Sequence, residues 1–227
     1  MLLTGCRRDP LPGFPPLILW AWESPQNLSF IDPHEAGVAF LAKTLFLGDH
    51  QAIVRPRVQP LRIPHGTTLI AVVRLESTGH GDLPSASEIA PAIAEVAHAP
   101  GIRSLQIDYD ARVSERSFYQ QVISEVKRRV PERFPLSITA LASWCNGDGW
   151  IATLPVSDAV PMLFRMGPEH YRAGSTFRVP LCQTSVGVSM DEPLPRLPRG
   201  RRIYVFHPGP WTQVDYKNAL QEAHRWQ

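Results

Sequence analysis

Residues 105–144 read LQIDYDARVSERSFYQQVISEVKRRVPERFPLSITALASW. An apolar run, Leu105–Asp110, closes on two aspartates. A stretch of helical period follows from Ser114, with Phe118, Val122, Val126 and Val130 at i, i+4 spacing and Tyr119 and Ile123 beside them. Pro131 cannot continue a helix, and a second apolar run, Leu136–Trp144, begins soon after. Strand, helix, strand at this spacing is a βαβ unit, whose two strands must be parallel.

Outward from this unit the same alternation repeats. Further strand candidates are Leu17–Glu23, Ala52–Leu61, Leu69–Glu76, Val160–Met166, Ser185–Asp191 and Ile203–His207. With the two above they number eight, which predicts an α/β fold: an irregular (β/α)8-like TIM barrel of seven or eight strands, some helices replaced by loops. Only Arg62 to Thr67 separates the second and third runs, too few for a parallel crossover. Pro56 and Pro60 also suit an antiparallel excursion better than a central strand. Three more helices are expected. One opens at Asp32-Pro33-His34-Glu35, one spans Ser87 to His98, and one runs from about Asp215 to Trp226. Residues 1–14 are expected to be an N-terminal tail and 15–227 one barrel domain.

Composition agrees with one large core. The chain has 227 residues, 44% hydrophobic, and its 23 prolines are scattered as loop punctuation, which excludes a coiled coil or a bundle of long helices. A net charge of +2 carries no nucleic-acid footprint, and the Arg196–Arg202 run reads as a solvated loop. No run of eighteen apolar residues exists to span a bilayer.

Leu3-Thr4-Gly5-Cys6 resembles the lipobox of bacterial lipoproteins, which implies lipidation at Cys6 and a chain that starts inside a longer signal segment. That places the protein outside the cytoplasm, with a possible lipid anchor; the alternative is cytoplasmic. In an exported protein, Cys145 and Cys182 are candidates for one disulfide; in a cytosolic one they are small buried hydrophobes. No metal site on cysteine is expected, and no cofactor.

Barrel enzymes work at the carboxyl ends of the strands. Here those ends carry Trp22 and Glu23, Arg74 and Glu76, Asp108 and Asp110, Ser143 and Trp144, Arg165, Asp191 and Glu192, and His207. Period-two alternation sets Gln106, Asp108 and Asp110 on one face of their strand, against Leu105, Ile107 and Tyr109. A polar face on a barrel strand points inward, with Asp110 at the rim and Asp108 one pleat deeper, held by Arg74 or Ser137.

The stretches LQIDYDARVSERSFYQQVISEVKRRVP, LSITALASWCNGD, LFRMG and VGVSMDEP, with WAWE and VRPRVQPLRIP, resemble an uncharacterised bacterial family of unknown function. More distantly, IDYD resembles the Asp-x-Asp-x-Glu strand of chitinase-type family 18 glycoside hydrolases. Asp108 and Asp110 match its aspartates, and Arg112 stands at the Glu position. The resemblance implies a barrel that binds a carbohydrate and hydrolyses it with paired carboxyl groups. Asp110 would be the acid, its ionisation opposed by Asp108. Asp191 or Glu76 would be the second carboxylate. Trp22 and Trp144 would stack on sugar, with Arg74, Arg165 and His207 bonding hydroxyls and Glu23 and Glu192 beside them. Two other readings stay open. One is a non-catalytic carbohydrate-binding or envelope-associated protein. The other is a phosphoester hydrolase with Asp108, Asp110, Glu76 and His207 around a divalent cation.

Overall fold

The structure is a computed structural model that describes residues 9, 11–79, 81–147, 149–166, 176–193 and 199–226. Its strands are β1 (Leu17–Ala21), β2 (Gln26–Asn27), β3 (Ala36–Gly48), β4 (Gln51–Pro56), β5 (Leu61–Arg62), β6 (Leu69–Ser77), β7 (Ile102–Asp108), β8 (Leu136–Leu141), β9 (Asp158–Met162), β10 (Ser185–Ser189) and β11 (Arg202–Phe206). Its α-helices are α1 (Ala86–Ala94), α2 (Arg116–Arg129), α3 (Ala142–Asn146) and α4 (Gln213–Arg225). Eight parallel strands close in the order β1-β11-β10-β9-β8-β7-β6-β3, and β3 pairs back onto β1. This is an irregular TIM-like barrel, with α1 and α2 flanking β7 and, among the described residues, short 3-10 turns in several other connections.

Two apolar cores follow from strand alternation. Ile18, Trp20, Ala39, Ile70, Val72, Val160 and Tyr204 fill the barrel interior. The opposite parity, such as Leu17, Leu19, Val38, Ala71, Leu105 and Ile138, packs outward against Ile89, Ile93, Tyr119, Val122 and Val126 of α1 and α2. Gly187 of β10 lets the Trp20 ring cross the interior: a Cβ there would stand 3.0 Å from Trp20 Cη2. Trp20 Nε1 then donates to Gln106 Oε1 at 3.0 Å.

The helix expected from Asp32 is instead strand β3, thirteen residues long. Asp32 does start a turn: its Oδ1 accepts from His34 N, and its carbonyl accepts from Glu35 N and Ala36 N. The chain then leaves the helical path, because Ala36 to Leu47 is apolar on both faces and lies between β1 and β6. A central parallel strand reads as a continuous apolar run, so period-two alternation does not betray it. β3 takes the barrel place offered to Ala52–Leu61. The latter supplies β4, an antiparallel hairpin partner of β3 outside the ring. Asp49 and His50, at φ 49° and 58°, make the two-residue turn, the left-handed pair such hairpins need.

The other helices lie near their expected positions. α1 has a capping box, in which Ser85 Oγ accepts from Glu88 N and the Glu88 carboxylate takes Ser85 N. α4 repeats it with Thr212 and Asp215. The amino end of the barrel is closed by Leu11, Phe14 and Pro15. Arg202 reaches across to donate to Asp9 and to the carbonyls of Leu11 and Pro15. Asp9 and Leu11, read as tail in the sequence, belong to this closure. Cys6 lies outside the described residues.

Candidate functional site

At the carboxyl ends of the strands the barrel opens into a cavity of about 590 Å³. That is the size of a small-ligand site. Its walls differ in chemistry. One side carries Arg74 from β6, Asp108 and Asp110 at the end of β7, and Thr139, Leu141 and Ser143 from β8 and the start of α3. The other is aromatic and thioether: Trp20, Trp22, Met162, Phe164, Met166 and Phe206. Phe164 and Phe206 stack face to face, 5.7 Å between centroids and 5° apart, and Trp22 meets Phe206 edge-on. Arg74 lies over Trp22 and Arg165 over Phe206, each about 5.4 Å from the ring centroid. Each cation sits on a π face, which orients it without consuming its hydrogen-bond donors.

Asp108 is mostly sheltered. Thr139 Oγ1 donates to its Oδ1 at 2.6 Å, and Arg74 Nη1 is 3.8 Å from Oδ2. Ser137, the other neighbour expected to hold it, instead meets Gln106 Nε2 at 3.4 Å. Burial raises the Asp108 carboxyl above the ordinary range, against the opposing pull of Thr139 and Arg74. Asp110 reaches the rim, open to the water of the cavity but flanked by its walls. Its carboxyl is also pushed up, because the surrounding walls displace part of its solvent, with Arg74 pulling it down. The expectation that the Asp108 charge would do this is corrected: burial dominates.

The remaining expected residues divide. Trp22, Arg74 and Arg165 line the cavity. Arg165 holds φ at 52°, a left-handed conformation unusual for a side chain of this size, and its N–H donates to Glu192 Oε1 at 2.9 Å. Asp191 stands just beyond the wall, 3.7 Å from Arg165 Nη2, and accepts from Ser189 Oγ; that bond, chiefly, holds its carboxyl below the usual range. Glu76 binds Arg74 Nε at 2.6 Å and faces an adjoining hollow. Glu23 pairs with Arg55 of the hairpin, away from the cavity.

Trp144 and His207 are placed elsewhere. β8 ends at Leu141, and α3 turns Trp144 into the outer core against Tyr119 and Trp150, where no ligand reaches it. His207 fixes the turn before α4: its Nδ1 faces Gly209 O and N, and its ring packs on Trp211. Of the four groups suggested for a divalent cation, Glu76, Asp108 and Asp110 border one hollow, and His207 stands apart from them. Among the described residues no three His, Cys, Asp or Glu side chains come together as a metal set. Cys145 of α3 and Cys182 are joined in a disulfide, Cα atoms 5.9 Å apart. It staples the helix whose first turn, Ala142 and Ser143, forms part of the cavity wall.

Sequence reading had no site role for Phe164, Phe206, Met162 or Met166. Parity was the available signal, since Met162 and Phe164 follow inward-facing Val160 on its face and Phe206 follows Tyr204. No protein-family model, curated protein or solved structure matches the chain.

Proposed function

We propose that this cavity binds a saccharide and that the protein is a glycoside-hydrolase-like barrel acting on a polysaccharide. The observation that carries the reading is the opposition of an aromatic wall to a pair of carboxyl groups of raised pKa at the strand ends. Trp22 and Phe206 offer flat apolar faces for the C–H face of a pyranose. Thr139, Ser143 and the arginines supply donors for its hydroxyls.

Glycoside cleavage needs an acid kept protonated and a second carboxylate kept ionised. Asp110 suits the first role, because loss of solvent raises its pKa at a position that ligand can reach. Asp191, held low by Ser189 and Arg165 just beyond the cavity wall, after β10, is the candidate for the second. In this scheme Asp110 gives its proton to the departing glycosidic oxygen while Asp191 supports attack at the anomeric carbon by a water, which loses its proton to that carboxylate. Asp108 takes the hydrogen bond of Thr139 and so holds that hydroxyl in the wall.

A binding-only reading is favoured by two observations. The aromatic wall carries no carboxyl group of its own, and Arg112 takes the Glu position of the resembled motif. Calorimetric titration with cello-, chito- and uronate oligosaccharides, run beside reducing-end release, separates the two. Binding with release that D110N abolishes supports hydrolysis. Binding without release supports the second reading, and absence of binding across the panel overturns both.

The Cys145–Cys182 disulfide supports residence in an oxidising compartment, outside the cytoplasm. Lipidation of Cys6 would anchor it to the envelope. Fractionation of native cells, with free-thiol titration of the unreduced protein, tests this; cytoplasmic protein with free thiols would refute it.

A further inference from the structure

The cavity does not end at Asp110. A second hollow of about 310 Å³ adjoins it, and Arg74, Asp108 and Asp110 line both. These three side chains form a partition between an aromatic chamber and a charged one. The second chamber offers no stacking platform: its aromatic residue, Tyr109, is buried against Phe118 and Tyr119.

Its charges are unevenly matched. Glu76 is held by Arg74 Nε at 2.6 Å. Glu115, buried at the foot of α2, accepts the Arg112 backbone N–H at 2.8 Å. The Arg112 side chain is exposed in the chamber, and among the described residues its guanidinium enters no ion pair. Gly79, at φ 74°, packs beside it: a Cβ there would lie 3.5 Å from Arg112 Nη2, at van der Waals contact.

We propose that the second chamber is a subsite for a carboxylate-bearing sugar, a uronic acid residue, and that Arg112 is the specificity-determining residue that reads its carboxylate. The inference rests on the saccharide reading above and deepens it. A guanidinium presents a planar fork that matches a carboxylate with two parallel hydrogen bonds; a neutral sugar would leave that charge unanswered. The neighbouring carboxyls do not decide for a cationic sugar. Glu76 already has its arginine, and a positive charge beside Asp110 would favour its ionised form and remove the proton it is to donate. A negative charge seated on Arg112 does the reverse and keeps Asp110 protonated. The partition by Asp110 then places the glycosidic bond between the two chambers, with a stacked unit on Trp22 and Phe206 and the uronate next to it.

The test is calorimetric titration of the full chain with oligouronates of three backbones (galacturonate, glucuronate and mannuronate), each beside its methyl ester. The ester keeps the sugar and removes the charge. The expected result is that at least one acid binds about tenfold or more tighter than its ester. R112Q should abolish that preference and leave ester affinity unchanged, R112K should restore only part of it, and W22A should weaken acid and ester alike. Arg112 is exposed, so these variants should melt as the parent does. Equal binding of acid and ester, or a preference that survives R112Q, overturns the subsite. Binding of neutral chito- or cello-oligosaccharides alone overturns it too while the saccharide reading stands. Binding of no sugar at all takes both down.

Discussion

Asp158 and Asp108 point into this barrel near opposite ends, and they are put to different use. Asp158, at the amino end, is fully buried; Thr184 Oγ1 donates to one of its oxygens and Ser185 Oγ to the other, both at 2.5 Å. Arg202 lies nearby, itself bound to Asp9 and two backbone carbonyls under the cover of Leu11 and Phe14. Asp108, at the carboxyl end, has one short bond, from Thr139, and an arginine at 3.8 Å that also serves Glu76. Burial raises both pKa values. The difference lies in unused hydrogen-bonding capacity. Asp158 has spare lone pairs but no exposure to solvent, so it is an anchor. Asp108 keeps one oxygen toward a cavity and shares its strand end with Asp110, so that end can still do chemistry. A polar group inside a barrel says little about function until its remaining partners are counted.

The contrast can be broken most sharply at the open end. D110N keeps shape and removes the proton, so hydrolysis should fall about 10²- to 10⁴-fold with saccharide affinity changed little. Parallel turnover and calorimetric measurements check it, and unchanged turnover would move the acid elsewhere. The open end also relies on a covalent tie where the closed end has a hydrogen-bonded lattice. Replacing Cys145 and Cys182 by serine should cost about 4 kcal/mol in the chain-entropy account, read from urea unfolding. Loss of ligand affinity beyond the loss of stability would show that the staple holds Ser143 and Ala142 in the wall.

At the closed end, D158A should destabilise by about 3 kcal/mol, because two hydroxyls lose a buried acceptor and Arg202 loses a nearby negative charge, while leaving saccharide binding intact. If it instead weakens binding as much as W22A does, the two ends are coupled and the contrast fails. The smallest effect belongs to D108N. A raised folded pKa means the folded state holds the proton more tightly than the unfolded chain. The stability this contributes is fully present below the unfolded value of about 3.9 and is lost as pH rises through the raised one. D108N removes that loss and preserves the Thr139 contact, so at neutral pH it should melt within about 1 kcal/mol of the parent, on the stable side. The decline in melting temperature above about pH 4 should also flatten. A steeper decline would mean that Arg74 outweighs burial.

Much of the barrel was legible because its signals are local. Helix α2 shows its period and its proline stop, α4 has a capped start, and β7 shows one polar and one apolar face. The error at Asp32 has a local cause as well: an Asx turn and a proline imitate a helix start, and β3 is too apolar on both faces to show a strand period. The cavity was half legible. Asp108, Asp110, Arg74, Arg165 and Trp22 end strands and carry charge or bulk, whereas Phe164 and Phe206 look like any core aromatic until the ring of strands closes.

By itself the sequence determined the β/α alternation, the face of β7 that bears the aspartates, and the residue types available at each strand end, because these depend on contacts a few residues apart. Tertiary structure alone decided which strand completes the ring, that Trp144 and His207 turn away, and that Phe164, just after β9, and Phe206 of β11 form one wall opposite Asp110. Those outcomes depend on β3 meeting both β1 and β6 and on β9 to β11 curving round to face β7. Such contacts join residues far apart in the chain, and no local pattern records them.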